Sequence, residues 1–280
     1  MKKTTLILAS LLILGAIFFY SCKKDESISN KTNNTSKPIR LKSDSKNPFD
    51  FVGINHNAYL DYFAEHYDVN KITDANIYDA NVHFLTKYSL SFDEFQKQLL
   101  SNQSISINLS KGDYSYIDNN KNIDNSSKSY LKQFYSLIDS LSKNCTELVT
   151  SDQFNSLISA IEQNVIAEGL YSSPDNTDSL NCPATVLCVL SIAKYSYSYW
   201  YNAYIDKNNP WHNIVYSTVN TKNRSFFGAL WHGIVTAVKV IVTPVADVVG
   251  FVTTPPGLNG TWNLGDCFQH AGETSLSLWE

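Results

Sequence analysis

The chain has 280 residues, of which 43% are hydrophobic and 13% aromatic, enough apolar material for one sizeable core or two small ones. Its charge is divided: residues 23–46 hold seven Lys/Arg against three Asp/Glu, whereas residues 47–280 hold 13 basic and 23 acidic groups. An acidic body argues against nucleic acid as a partner, and a basic segment ahead of it suits an anionic membrane surface.

In chain order, Lys2 and Lys3 precede an apolar run from Leu6 to Phe19 that is short for a membrane span, and Phe19-Tyr20-Ser21-Cys22 closes it with a small residue before a cysteine. This resembles the lipobox of bacterial lipoproteins, which is cut before a diacylglyceryl-cysteine, although Phe19 stands where Leu is usual. The resemblance implies a signal peptide over 1–21, lipidation of Cys22 and anchoring to a membrane through the N-terminal lipid. Lys23-Lys24-Asp25-Glu26 is similar to the Lys-then-acidic export signal of surface lipoproteins of the Bacteroidota, which implies an address at the outer membrane, facing outward. Residues 22–46, rich in Ser, Asn, Lys and Thr, read as a disordered basic tether.

The folded part is expected from Asn47 to Glu280, with 47–170 and 171–280 as candidate subdomains. It opens with Asn47-Pro48-Phe49-Asp50-Phe51-Val52-Gly53-Ile54-Asn55-His56-Asn57. The pattern reads as an extended aromatic segment stopped by Gly53, then a helix with Tyr59, Leu60, Phe63 and Tyr67 on one stripe. It resembles the opening of a group of uncharacterised Bacteroidota lipoproteins, in which an Asn-Pro-aromatic-acidic segment leads to Gly-x-x-His-Asn. That resemblance implies an address and a helical fold and carries no known activity.

Beyond this opening, helical signals dominate. Ser91 and Glu94 have capping-box spacing; Asp124 to Ser127 offers N-caps to a stripe of Leu131, Phe134, Tyr135, Ile138 and Leu141. Thr150 and Gln153 repeat the box ahead of Phe154, Leu157, Ile158, Ile161 and Val165, with Gly169 as the stop. Ser101 to Asn125 reads as a long polar loop with a short hairpin around Lys111-Gly112-Asp113. The fold class is therefore mainly α: a helical-bundle ectodomain behind a cleaved leader and a tether.

Tyr195-Ser196-Tyr197-Ser198-Tyr199-Trp200-Tyr201 alternates as a strand with an aromatic, sugar-binding face would. The uninterrupted run from Ala184 to Tyr204, free of Gly and Pro, favours a helix with aromatics packed in a bundle. Residues 226–252 are strongly apolar but carry His232, Lys239, Pro244 and Asp247, which favours two buried helices over a membrane span and leaves a membrane-active or toxin-like role as the minority reading. A short last helix is expected from about Asp266.

With Cys22 assigned to lipid, Cys145, Cys182, Cys188 and Cys267 remain, an even number that in an exported protein suggests two disulfides. Three pairings are open, Cys182 with Cys188 closing the shortest loop. No metal site is expected from these spacings: there is no Cys-x-x-Cys, and His56 and His66 are too far apart on one helix to share an ion. No cofactor is implied, since no His-Glu-x-x-His, Gly-x-Ser-x-Gly, P-loop or dinucleotide fingerprint occurs, and no catalytic residue is assigned. His56 and Asn57 are the candidate functional pair, with a turn-capping role the stronger reading of His56. Asp178-Ser179-Leu180 and Asp139-Ser140-Leu141 resemble O-glycosylation acceptors of exported Bacteroidota proteins, Ser179 being the better candidate because its surroundings read as a loop. The leading functional expectation is a non-enzymatic binding protein of the cell surface with an extracellular protein or glycan ligand; the alternative is a hydrolase with a site outside the usual motifs.

Overall fold

The computed structural model describes residues 47–84, 91–93, 96–97, 108–109, 112–144, 149–175 and 180–220. The leader, Cys22, the tether, Ser179, Cys145, Cys267, the 226–252 segment, the expected last helix and Glu94 of the Ser91 capping box lie outside the described residues. Among the described residues seven helices succeed one another: α1 (Asp50–His66), α2 (Asp74–Phe84), α3 (Ser115–Asn119), α4 (Asn125–Asn144), α5 (Ser151–Glu168), α6 (Cys182–Ile205) and α7 (His212–Asn220). The class is mainly α, as the periodicities indicate.

Helix α6 is the axis of the bundle. Its start is fixed by Asn181, whose side chain accepts from the Ala184 amide, and by Pro183 in the first turn, where a missing N–H costs nothing. From Ala184 to Ser198 every residue is buried, so the helix is covered on all sides instead of showing one apolar stripe. Tyr195 and Tyr197 are among them, and the strand-like aromatic platform is thereby replaced by core packing. Tyr197 stacks on Phe154 at 4.1 Å and donates its hydroxyl to the Val149 carbonyl at 2.6 Å.

Around α6 lie α1, α5, α4 and α7. Successive contacts pair Asn47 with Leu187, Asn57 with Tyr195 and Asp61 with Tyr199, so α1 runs parallel to α6. Helix α5 runs antiparallel, meeting α6 from Glu162–Lys194 down to Ser151–Ser198. The capping box at its start is present, with Thr150 and Gln153 serving each other's amides, and Gly169 ends it at φ +67°, a conformation glycine adopts without a Cβ clash. All five expected stripe residues of α4 are buried, and its far side is tied to α5 where Tyr130 and Ser126 donate to Glu168. One buried cluster runs from Phe49 to Val215, so a single core includes residues on both sides of position 170.

Two local expectations are corrected. The segment before Gly53 is not extended: α1 begins at Asp50 and carries Gly53 within its first turns. Nor do the described residues around Lys111-Gly112-Asp113 form a hairpin. There the Gly112 and Asp113 amides bond back to the Leu109 and Asn108 carbonyls, and the one-turn helix α3 comes next, burying Ile117 completely. A single inward isoleucine in an Asn-rich stretch is too short a signal for periodicity to register.

Helix α4 is preceded by Asp124, whose carboxylate accepts from the Ser127 amide at 2.9 Å and the Ser127 hydroxyl at 2.8 Å. Partial desolvation pushes the Asp124 carboxyl up, but the bonds from Ser127, Cys182 and Ser126 together outweigh it and hold the group below its ordinary value. A depressed folded-state value means stability that is present above the unfolded carboxylate range and is lost as pH falls through the folded value. Asp124→Ala is expected to cost about 1 kcal/mol at neutral pH by urea unfolding, and the gap between wild type and variant should close on acidification. A gap that stayed constant down to pH 2 would show that the carboxylate charge is not what caps the helix.

Candidate functional site

The opening motif and α6 build one buried polar cluster. Along α6, Leu187, Ser191, Lys194, Tyr195 and Ser198 fall on one side at helical spacing; along the start of the described chain, Asn47, Asp50, Gly53 and Asn57 do the same. Asn47 anchors the entry, its side-chain amide donating to Glu162 Oε1 at 2.7 Å and to the Leu187 carbonyl at 2.9 Å, while its own oxygen accepts from the Phe49 amide at 2.9 Å. Helix α1 has no side-chain N-cap bond of its own, and Ser191 of α6 ties its first turns across the interface: its hydroxyl accepts from the Gly53 amide at 3.1 Å and donates to the Asp50 carbonyl at 3.4 Å.

At the centre sits Lys194, 4% exposed, with Nζ 2.8 Å from Asp50 Oδ1 and 3.1 Å from each carboxylate oxygen of Glu162. Glu162 is 1% exposed. A Lys and a Glu are almost never buried this deeply without partners, because removing either ion from water costs several kcal/mol. Three hydrogen-bond vectors from one ammonium to two carboxylates, with the Asn47 amide adding a fourth, satisfy the group. One turn further along, Asn57 donates to the Tyr195 carbonyl at 3.1 Å and its oxygen lies 3.1 Å from His56 Nδ1.

His56 is fully buried. It therefore stands in the second turn of α1, inside the bundle, and not at a helix start as the sequence suggests. The Gly-x-x-His-Asn pattern is explained by the interface: Gly53 gives close approach, Asn57 bonds the α6 backbone at Tyr195, and His56 bonds Asn57. A second polar group lies beyond it, where Tyr199 donates to Asp61 at 2.9 Å and Trp211 Nε1 donates to the Tyr199 oxygen at 2.9 Å. Burial raises the Asp61 carboxyl above its ordinary value, the Tyr199 bond opposing and Glu65 adding; the Tyr199 hydroxyl is likewise raised, by burial first and then by Asp61.

The two cysteines among the described residues are both thiols. Cys182 and Cys188 lie six residues apart on α6, about 9 Å along its axis and on different sides of it. A disulfide spans Cα atoms no more than about 7 Å apart, so the shortest-loop pairing is excluded, and no disulfide is formed among the described residues. The half-buried Cys182 thiol donates to the Asn122 carbonyl at 3.2 Å, and burial raises it above the usual thiol value. Ser140 is exposed on α4. His66 and His83 turn back to carbonyls four residues earlier, and His212 bonds the Ala203 carbonyl and stacks on Tyr216 at 5.2 Å. Among the described residues no three His, Cys, Asp or Glu groups converge so as to hold a metal ion, and no helix is long and apolar enough to cross a membrane.

Sequence reasoning missed Lys194, Glu162 and Ser191. A signal was present: Lys194 is the only charged residue between Cys182 and Ile205, and Glu162 falls four residues after Ile158 on the apolar stripe of α5. Charges placed on two core-facing stripes call for each other.

The described chain is thus a mainly helical bundle organised around one helix enclosed from Ala184 to Ser198 and a buried Asp–Lys–Glu centre. No known family model matches it, and no curated protein and no solved structure is significantly similar to it.

Proposed function

We propose that this is a lipid-anchored, non-enzymatic binding protein of the outer-membrane surface, with an extracellular protein or glycan as ligand. The observation that carries the non-enzymatic reading is the inward placement of the opening motif. His56, the side chain best suited to acid–base work, is fully buried, and Asn47, Asp50 and Asn57 are engaged with α6 or α5. The address rests on the leader, Cys22 and the Lys-then-acidic segment after it. An anchor of two or more acyl chains holds a protein at the bilayer in effect permanently, each buried methylene contributing about 0.8 kcal/mol.

The test uses the full-length protein isolated from membranes. Peptide mass analysis should find acylated Cys22 at the mature N-terminus, and protease treatment of whole cells should remove the body. The detergent-solubilised protein should bind components of a glycan or surface-protein array without converting peptidoglycan, glycan or ester substrates. Turnover of any of these would overturn the non-enzymatic reading. An unlipidated product, or resistance to proteolysis on intact cells, would overturn the address.

A further inference from the structure

The centre at Lys194 has the composition and geometry of a condensation site as well as of an ion cluster. An amine and a carboxylate held together in water remain an ion pair, because water solvates both ions and drives hydrolysis of any amide between them. Enclosure removes that solvent, and fixed proximity raises the effective concentration of the reacting groups by many orders of magnitude. Lys194 Nζ is 2.8 Å from Asp50 Oδ1, the oxygen bonded to the carboxyl carbon that it would attack. A proton carrier is in place: both oxygens of Glu162 lie 3.1 Å from Nζ, and the Asn47 amide fixes one of them at 2.7 Å. The side chains of Lys194, Glu162 and Asp50 are 5%, 2% and 14% exposed, so the site is closed to bulk water with its edge at Asp50.

We propose that Lys194 and Asp50 condense to an intramolecular amide, with Glu162 carrying the proton. Glu162 takes a proton from the Lys194 ammonium and passes it to the Asp50 carboxylate; the freed lone pair of Nζ attacks the carboxyl carbon; Glu162 then takes a second proton from the attached nitrogen and passes it to the departing oxygen, which leaves as water. One C–N bond forms, one C–O bond breaks, and ammonium plus carboxylate become amide plus water, with no change of oxidation state. The charge of the cluster is unchanged by the reaction, since one cation and one anion disappear together. Glu162 remains ionised, held by the Asn47 amide and by the new amide N–H.

The bond would join residues 144 positions apart in sequence. It would fasten the very start of α1 to the middle of the central helix, removing from the unfolded chain the freedom of a long loop. A pull on the chain N-terminal to Asn47 would then pass directly into α6.

Peptide mapping of the reduced, alkylated full-length protein after trypsin tests this. The expected product is the peptide Asn47–Lys71 joined to the peptide that carries Lys194, lighter than the two together by about 18 Da, with no cleavage after Lys194. Asp50→Asn should give the same linked product by releasing ammonia in place of water. Lys194→Arg, which keeps a cation but offers no such nucleophile, should give only linear peptides, and Glu162→Gln should lose most or all of the linkage. A wild-type digest containing free Asn47–Lys71 and ordinary cleavage after Lys194 would overturn the proposal whatever the variants do. Full linkage in Glu162→Gln would overturn the role given to Glu162.

Discussion

Lys194→Met is expected to destabilise the protein by roughly 3–5 kcal/mol, because it leaves Asp50 and Glu162 facing each other in a dry interface with the cation removed. Methionine fills most of the lysine's volume, so no large cavity adds to the loss. The sharper measurement is a comparison with Lys194→Met/Glu162→Leu. Neither protein can carry an Asp50–Lys194 amide, so the difference between them isolates the stranded Glu162 carboxylate. The double variant should recover a good part of the loss, as buried ion groups often do when replaced together by apolar ones. Urea unfolding checks both. A cost below about 1 kcal/mol for Lys194→Met would mean that the cluster is wet enough for its charges to be solvated where they stand, a value in the range of surface ion pairs.

The range of the signals decides which parts of the molecule are legible in the sequence. Helices α4 and α5 are legible because each has a cap, a stop or both within four residues of its end and a stripe repeating at three and four. Leu131 to Leu141 and Phe154 to Val165 carry those stripes. Helix α6 is legible as a helix but not as the axis, because burial on every side erases periodicity: Ser191, Lys194 and Ser198 look like a polar face and are inside. The site is less legible still. Asn47, Asp50, Gly53 and Asn57 stand out as a motif, yet their partners Glu162, Leu187, Ser191 and Lys194 are more than a hundred residues away. Nothing local distinguishes a glycine that ends an extended segment from one that lets a second helix approach. His56 illustrates the same limit: the spacing alone suits a helix start, and only the position of α6 turns it into a buried group.

Gly53 is where that distinction can be tested. A Cβ at this position would lie 2.6 Å from Cδ2 of Tyr195, 2.7 Å from the Ser191 carbonyl oxygen and 2.8 Å from the Ser191 hydroxyl. The Tyr195 ring can turn aside; the Ser191 carbonyl belongs to the backbone of α6 and cannot, so alanine must push the two helices apart. On an open helix Gly→Ala would add about 1 kcal/mol of stability, whereas overpacking a tight core removes about 1–3 kcal/mol. Gly53→Ala is therefore expected to be a net loss, and Gly53→Val a larger one, since its branched side chain adds two more methyl groups at the same contact. Separation of the helices also lengthens the bond from the Gly53 amide to Ser191 and draws Asp50, one turn away, back from Lys194. The same Gly53→Ala protein should thus show less of the linked peptide than wild type. A Gly53→Ala protein that gains about 1 kcal/mol and links as before would mean that α1 and α6 are not in contact at this turn, and with it the account of the whole opening motif would fail.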